Sequence, residues 1–276
     1  MKILVTGAEG FIGNFISNIL EDFERYYYYN NIMDFDVKKV YFLQSKTVSE
    51  YSNENFDYIF HCSVVGGRSY DSNNEEVYDK NLELFDLVSS MNFNKLIHFT
   101  SGADFCRSRE INNFLPIEVL KSNPIDYFGK SKNQISKIII NKSLGLNIRV
   151  FNVYGNLNFK RFQFIDNTIK SVLTNKEIII DQDRFFDFFL IDDLKSVISA
   201  IISGELNEDY NLSYQKKIKV SQIANEIIQF TNSKSLIHVR KEGLSYTGSN
   251  VFLINDIENA DPIIKLNKFL TKLFIK

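Results

Sequence analysis

Residues 1–13 of the chain read MKILVTGAEGFIG. The apolar run Lys2–Thr6 is typical of a buried strand, and a helical pattern of apolar residues follows it. Between the two lie Gly7, Gly10 and Gly13. At this spacing the first glycine permits a tight turn, the second lets a phosphate approach the backbone, and the third lets the helix pack on the strand. The stretch therefore predicts a dinucleotide site at the N-terminus of a helix.

The turn and the end of the second strand are the expected cofactor contacts. In the turn these residues are Gly7, Glu9, Gly10, Phe11 and Ile12. An acid at the end of the second strand favours NAD, because it bonds the ribose 2′-OH and repels a 2′-phosphate. With Tyr26–Tyr29 as that strand, the position falls on the neutral Asn30, whereas a later register places Asp34 there. The expected cofactor is NADP, with NAD as the alternative.

Apolar runs of strand length alternate with helical patterns over the first two-thirds of the chain, which indicates βαβ units and a parallel sheet. The predicted strands include Tyr26–Tyr29, Lys39–Leu43, Tyr58–Cys62, Leu96–Thr100 and Asn147–Asn152, and the helices include Phe11–Phe23, Asn81–Met91 and residues 127–143. The fold class predicted is α/β, a doubly wound parallel sheet of Rossmann type with a smaller C-terminal α+β lobe. The dinucleotide-binding domain is expected at 1–155, with a return segment around 184–203, and the substrate lobe at 156–276.

Composition excludes several classes of function. The net charge of −2 and the pI of about 6.0 give no basic excess for nucleic acid or an anionic membrane surface. The two cysteines, Cys62 and Cys106, form no CxxC pair, and the three histidines lack metal-ligand spacing, so neither a disulfide framework nor a metal site is predicted. His61 and His98 end apolar runs and are expected in the core.

Without a long apolar run or room for a leader before Lys2, the expected location is the cytoplasm.

Two further motifs resemble a known family. Residues 98–105 read HFTSGADF and residues 126–132 read DYFGKSK. Together with the first turn they resemble the extended short-chain dehydrogenase/reductases, and more narrowly the NAD-dependent epimerase/dehydratase group that acts on nucleotide sugars. Supporting segments are FHCS at 60–63, Asn81 within a helix, RVFNVYG at 149–155 and RFFDFFLIDDL at 184–194. The resemblance implies a nicotinamide cofactor, which Cys62 and Ser63 would also contact, a nucleotide-diphosphate sugar substrate and a homodimer.

The resemblance also implies the catalytic residues. In this family a Ser or Thr and a Tyr bond the substrate oxygen, and a Lys four residues after the Tyr lowers its pKa and holds the nicotinamide ribose. Ser101 and Lys132 match the first and last of these roles, but the tyrosine position is Phe128, which cannot transfer a proton. Tyr127 is five residues from Lys132 and is expected on another face of the helix.

Three explanations for Phe128 are open at this stage. The chain could be an engineered Tyr→Phe variant, a natural enzyme that uses another proton donor, or a binding or regulatory protein that keeps the cofactor site.

The residues after Ser101 reduce the number of reactions that the resemblance allows. Family dehydratases carry an Asp–Glu pair there, and the epimerase–reductases carry a Cys two residues on, whereas this chain has Gly102 and Ala103. Hydride transfer at a single sugar carbon remains: a keto-sugar reductase, with a 4-epimerase as the alternative. The expected substrate contacts are Gly66, Gly67 and Arg68 in the loop after the YIFHC strand, and Asn152, Arg161 and Arg184 for the diphosphate.

Overall fold

A computed structural model describes residues 1–29, 36–40, 51, 53–66, 73–158 and 163–275. The chain divides into two compact units. Unit 1 comprises Met1–Ser108, Ile117–Arg149 and Asn207–Tyr210, and unit 2 comprises Arg109–Pro116, Val150–Leu206 and Asn211–Lys276. The segment that returns to unit 1 is thus 207–210, rather than the expected 184–203, which lies in unit 2.

Unit 1 contains most of a six-stranded sheet with helices around it. Its strands are β1 (Lys2–Thr6), β2 (Asp36–Val40), β3 (Asn55–His61), β4 (Asn92–Ser101) and β6 (Gly145–Val150). The spatial order is β2-β1-β3-β4-β6, and β11 (Tyr210–Leu212), whose first residue belongs to unit 1, lies beside β6. The pairs β1–β2, β1–β3 and β3–β4 are parallel. The predicted Rossmann-type parallel sheet is confirmed.

The helices of unit 1 begin where the sequence supplies a cap. They are α1 (Phe11–Tyr29), α2 (Glu75–Ser89) and α3 (Tyr127–Asn141). The Asn74 side chain accepts a hydrogen bond from the Glu76 N–H at 3.0 Å, and Asp126 accepts one from the Gly129 N–H at 2.8 Å. Such caps satisfy backbone donors that the first helical turn leaves free. The core beneath these helices is apolar and includes Leu4, Ile59, Phe85, Leu96, Ile135 and Ile139.

One predicted strand was wrong. Residues Tyr26–Tyr29 are the last turn of α1, and the strand that pairs with β1 is β2, Asp36–Val40. Asn30 and Asp34 therefore precede this strand instead of ending it, so the argument that favoured NADP over NAD does not apply. Both residues lie outside the described part of the chain, as do residues 41–43 of the expected third strand.

Unit 2 is a smaller α+β assembly, as predicted. Its elements are β5 (Ile111–Phe114), β7 (Val153–Tyr154), α4 (Phe164–Leu173), β8 (Ile178–Ile180), β9 (Phe185–Phe186), β10 (Phe189–Leu190), α5 (Leu194–Ile202), β12 (Ile218–Lys219), α6 (Val220–Thr231), β13 (Ile237–Val239), β14 (Tyr246–Gly248), α7 (Asn255–Glu258) and α8 (Pro262–Phe274). The largest sheet of this unit has the order β12-β9-β14-β5. A separate apolar core that includes Ile165, Ile169, Ile223, Ile227, Leu266 and Leu270 holds these helices on their sheets.

None of the helices in the described ranges is both long and apolar enough to cross a membrane.

Candidate active site

The topology of unit 1 marks one place on the sheet as a binding site. β1 lies between β2 and β3, so the strand order changes direction next to β1. In doubly wound sheets ligands bind outside the carboxyl ends of the strands at such a point. The last residues of β1 and β3, Thr6 and His61, are paired there, and the chain continues into Gly7 and Cys62. The predicted cofactor turn therefore lies at the expected position.

The backbone in this turn approaches its neighbours too closely for side chains. Gly7 has φ +67°, and a Cβ there would lie 2.7 Å from the Ser63 nitrogen and 2.9 Å from the Cys62 oxygen. A Cβ on Gly13 would lie 2.3 Å from the Gly7 oxygen. The Gly10 N–H donates to the Gly7 carbonyl at 2.9 Å, and α1 begins directly afterwards. The glycines thus bring the turn against the end of β3.

The turn fits the pyrophosphate of a dinucleotide. Glu9 and Gly10 are exposed, and Phe11 and Ile12 at the start of α1 are half-buried. The N–H groups of the first helical turn and the positive end of the helix dipole favour an anion at this terminus. Of the predicted cofactor residues, the structure brings the turn together with Cys62 and Ser63, while Asn30 lies outside the described residues.

Asn81 holds the loop after β3 against α2. Its Oδ1 accepts from the Val65 N–H at 2.8 Å, and its Nδ2 donates to the Val65 carbonyl at 3.1 Å and to Ser131 Oγ at 3.1 Å. The amide therefore pairs with Val65 as a neighbouring strand would. The next residue, Gly66, has φ +78°, which side chains disfavour. The other two predicted loop contacts, Gly67 and Arg68, lie outside the described residues.

Ser101 is the last residue of β4 and caps a short 3₁₀ turn, Gly102–Asp104. Its Oγ accepts a hydrogen bond from the Ala103 N–H at 3.2 Å. The serine hydroxyl can therefore still donate its own proton to a substrate oxygen. Gly102, Ala103 and Asp104 are all buried.

A buried ion pair fixes this turn. Arg149 and Asp104 are both fully buried, with Nε to Oδ1 at 2.7 Å and Nη2 to Oδ2 at 2.8 Å. Thr100 and Ser136 each donate to Asp104 Oδ2 at 3.1 Å. The guanidinium also lies 4.4 Å from the centre of the Phe105 ring. Sequence reasoning missed this pair, although an arginine inside the apolar strand RVFN was a signal that a buried partner exists.

Phe128 lies on the first turn of α3 in an apolar setting. It is 6% exposed and packs with Val77, Ala103 and the half-buried Val65. The next residue, Gly129, is needed because a Cβ there would lie 2.6 Å from the Ala103 oxygen. The start of α3 therefore packs closely against the turn that follows Ser101. The phenyl ring at this position, where the resemblance implied a tyrosine, has no group that can carry a proton.

Tyr127 does not replace the missing phenol. The Lys130 ammonium lies 4.7 Å from the centre of its ring. Together with Tyr78 and Gln134, this pair lines a groove of about 560 Å³ between α2 and α3. Lys132 lies on a different face of α3, as predicted from the spacing of five.

Lys132 is buried beside β4. Only 3% of it is exposed, and its Nζ donates to the Phe99 carbonyl at 3.2 Å. Burial lowers the pKa of Lys132 to about 8, although Asp104 and Cys62 act in the opposite direction. Burial also raises the pKa of the Cys62 thiol, an effect that Lys132 opposes.

Two stacked histidines lie buried on β3 and β4. His61 and His98 are paired residues of β3 and β4, both buried, with ring centres 5.1 Å apart. Thr6 Oγ1 lies 3.0 Å from His61 Nδ1, whereas neither ring nitrogen of His98 has a hydrogen-bond partner among the described residues. Burial lowers the pKa of His61 to about 3, with Lys132 adding to the effect, and lowers the pKa of His98 well below its usual value. Both rings are therefore neutral, and their predicted place in the core is confirmed.

The predicted diphosphate contacts lie in unit 2. Asn152 Nδ2 donates to Gln163 Oε1 at 3.0 Å. The Arg184 guanidinium lies over the rings of Phe186 and Tyr246, at 5.2 and 5.4 Å from their centres. Arg161 lies outside the described residues.

The model of the NAD dependent epimerase/dehydratase family matches residues 3–213. The chain belongs to this family. It is accordingly a member of a class of NAD(P)-dependent oxidoreductases and isomerases, and the resemblance seen in the motifs is confirmed. A search of curated proteins found no match.

Solved structures with the same fold are distant in sequence. The dTDP-4-dehydrorhamnose reductase from Yersinia enterocolitica has a TM-score of 0.75 at 16% identity, with 99% of each chain covered. A Tyr→Phe mutant of UDP-glucuronic acid 4-epimerase from Bacillus cereus, in complex with NAD and UDP-4-deoxy-4-fluoro-glucuronic acid, has a TM-score of 0.70 at 17% identity, covering 99% of this chain and 100% of that one. The ADP-L-glycero-D-manno-heptose-6-epimerase from Helicobacter pylori has a TM-score of 0.74 at 16% identity, covering 100% and 96%. At these identities the likeness establishes the fold.

Proposed function

We propose that this chain is an NAD(P)-dependent nucleotide-sugar reductase that reduces a keto group, at C4, of a nucleotide-linked 6-deoxyhexulose. Family membership supports the nicotinamide cofactor and the nucleotide-sugar substrate. A relative with the same fold is named as a dTDP-4-dehydrorhamnose reductase. We place the protein in the cytoplasm, in the supply of sugars for polysaccharide synthesis.

The 3₁₀ turn Gly102–Asp104 is the observation that carries the proposal. The dehydratases of the family carry an Asp–Glu pair at these positions, and the enzymes that invert the carbon next to the ketone carry a Cys. The turn has neither, because Gly102 and Ala103 have no reactive groups and Asp104 is fully engaged with Arg149. The turn therefore supports hydride transfer at one carbon.

The cofactor would be held by the glycine-rich turn, by Cys62 and Ser63, and by Lys132, and when bound in its reduced form it supplies a hydride. Ser101 orients the substrate oxygen through its hydroxyl, and Gly66, Asn152 and Arg184 are the described residues proposed to contact the substrate. The cofactor is proposed to be NADP or NAD, because the argument from Asn30 that favoured NADP does not apply. We also propose a homodimer, by analogy with the family.

A 4-epimerase is the second candidate, because relatives of the same fold are named as epimerases. A reductase consumes one reduced cofactor for each sugar converted, whereas a 4-epimerase returns the hydride and shows no net consumption.

The proposal is tested with the native chain and Phe128→Tyr, each incubated with NADPH or NADH and a panel of nucleotide-linked 4-keto-6-deoxysugars. Stoichiometric oxidation of the cofactor with formation of an alcohol is expected for at least one sugar. If the tyrosine form is also inert over the whole panel, the reductase proposal is wrong. Inversion at C4 without net cofactor oxidation would favour the epimerase.

A further inference from the structure

The reaction proposed above requires a proton donor, and Phe128 cannot be one. Within unit 1, a donor must be protic, lie at the carboxyl end of β4 and have an N–H or O–H that the fold does not use. The pKa of a general acid should also lie near the working pH.

Two protic groups beside Phe128 do not meet these requirements. Ser101 has a hydroxyl that ionises far above neutral pH, so it can orient the substrate oxygen but leaves an unfavourable alkoxide if it gives up its proton. Tyr127 has a phenol, but its ring lies with Lys130 in the groove between α2 and α3.

Lys132 meets the geometric requirements. Its ammonium reaches the backbone carbonyl of Phe99, two residues before Ser101 on β4, so it lies at the correct end of the strand. An ammonium has three N–H donors, and the bond to Phe99 uses one of them. Because Lys132 is only 3% exposed, its charge is sheltered from bulk water.

We propose that Lys132 is the general acid of this chain, giving the substrate oxygen the proton that a tyrosine gives elsewhere in the family. This inference rests on the proposed reductase function. As the carbonyl carbon gains a hydride from the reduced nicotinamide, which is thereby oxidised, the C=O π electrons move to the oxygen. That oxygen forms an O–H bond with a proton from Nζ. The N–H bond breaks, the lysine is left as a neutral amine, and solvent returns its proton.

The surroundings of Lys132 suit a group that gains and loses a proton. Four titratable groups face the ammonium. They are His61 at the end of β3, Cys62 in the loop after it, His98 on β4 and Asp104 in the 3₁₀ turn. The histidines are neutral and the pKa of the thiol is raised, so the carboxylate of Asp104 is the opposing charge.

Arg149 shares that carboxylate through two hydrogen bonds, which weakens its hold on the lysine proton. Burial itself lowers the pKa of Lys132 to about 8. The amine is therefore charged below this pH and able to donate near neutrality.

The first test compares Lys132→Arg in two backgrounds, the native chain and Phe128→Tyr, with NADPH and dTDP-4-keto-6-deoxyglucose as the probe substrate. Arginine keeps the positive charge but cannot deprotonate in a protein. In the native background we expect kcat to fall at least about 100-fold, the scale of general-acid catalysis. In the Phe128→Tyr background the phenol supplies the proton, so the loss should be smaller than about tenfold. Because Lys132 is also proposed to hold the cofactor, NADPH affinity, measured by fluorescence titration, should fall by the same factor in both backgrounds, and kcat is compared at saturating NADPH.

Distinct outcomes separate the failure of this inference from the failure of the proposed function. An equal loss of kcat in both backgrounds means that Lys132 only binds or positions. Turnover by Phe128→Tyr but not by the native chain leaves the reductase function intact and rejects Lys132 as the acid. No turnover by any of the four proteins, with this probe or with any other sugar of the panel, contradicts the reductase function itself.

The second test needs no turnover. In the native protein with ¹³C-labelled lysine, one ε-methylene signal that is absent from Lys132→Arg should titrate with a midpoint near pH 8. A midpoint at the ordinary lysine value of about 10.4 would overturn the inference, whether or not the variant folds well enough for kinetics.

Discussion

The glycine-rich turn after β1 and the proposed catalytic segment, formed by Ser101 and α3, differ in how completely they match the motifs that the resemblance implies. The turn keeps each of its three glycines, and a Cβ on Gly7 or Gly13 would meet backbone within 3 Å. The catalytic segment has the Ser101 and Lys132 that the resemblance implies, yet has a phenyl ring at position 128. Among these motif residues, the proton-carrying group is the one that departs from the expected pattern.

The difference shows that the fold of the catalytic segment does not depend on the tyrosine hydroxyl. The Asp104–Arg149 pair, the close approach of Gly129 to Ala103 and the apolar contacts of Phe128 hold the segment. The loss of one hydroxyl group can therefore alter the chemistry while the cofactor turn and its surroundings keep their structure.

The largest effect is expected from breaking the ion pair that holds the catalytic segment. Arg149→Met leaves the Asp104 carboxylate buried without its partner, and we expect a loss of about 3–5 kcal/mol in the free energy of unfolding. Urea denaturation monitored by circular dichroism measures it. The matched control is Lys80→Met, which removes the exposed Lys80–Glu76 pair on α2 and should leave the midpoint unchanged. Equal losses for the two variants would mean that the buried pair does not fix the segment.

The cofactor turn should respond to a single methyl group. Gly7→Ala forces an alanine into φ +67° and against the Ser63 nitrogen, and we expect a loss of about 3 kcal/mol and no measurable NADPH binding. Gly204→Ala is the control, because Gly204 has φ +81° with nothing within 4 Å of its Cβ position. It should lose about 1 kcal/mol and leave cofactor affinity unchanged. Normal NADPH binding by Gly7→Ala, measured by calorimetry, would contradict the account of the turn.

His98 lies on β4, three residues before Ser101, and its replacement should stabilise the protein. His98→Leu removes two buried ring nitrogens that lack partners among the described residues, and we expect a gain of about 1–2 kcal/mol in thermal or urea unfolding. His61→Leu is the matched control, because it deprives Thr6 of its hydrogen bond and should not stabilise. A destabilised His98→Leu would show that the imidazole has a partner or a role that this account lacks.

The last effect, the smallest when counted per pH unit, is a loss of stability in acid. The pKa values of His61 and His98 are lower in the folded chain than the unfolded value of 6.5, so the unfolded state binds more protons at acid pH. Their contribution to stability is therefore complete above about pH 6.5 and falls as the pH decreases towards about 3. The slope is about 1.4 kcal/mol per pH unit for each histidine at most. Unfolding of His98→Leu measured from pH 7 to 4 should decline less steeply than that of the native chain, and equal slopes would contradict the assignment.

Local patterns in the sequence were sufficient to predict most of unit 1. The glycine spacing after Lys2–Thr6 and the apolar strands before Cys62 and through Thr100 depend on residues close in the chain, and β1, β3 and β4 were found where predicted. Tyr26–Tyr29 was wrongly predicted as a strand because aromatic residues favour strands, whereas in the fold these residues continue a long helix.

Contacts between distant residues could not be predicted. Asp104 and Arg149 are 45 positions apart, and nothing local to either shows that they meet. The same holds for Asn81 and Val65, 16 positions apart. The absence of the tyrosine was visible in the sequence, but the burial of Lys132 that makes it a proton-donor candidate required the structure.

The most direct test of the central claim, that this chain reduces a keto sugar with Phe128 in place, is a hydride-transfer measurement with labelled cofactor. The native protein is incubated with NADPH carrying two deuterium atoms at C4 of the nicotinamide and with each sugar of the 4-keto-6-deoxysugar panel, and the sugars are analysed by mass spectrometry and NMR. We predict one deuterium at C4 of the product for each cofactor oxidised. If the native chain labels no sugar of the panel, the central claim is contradicted, whether or not Phe128→Tyr labels one.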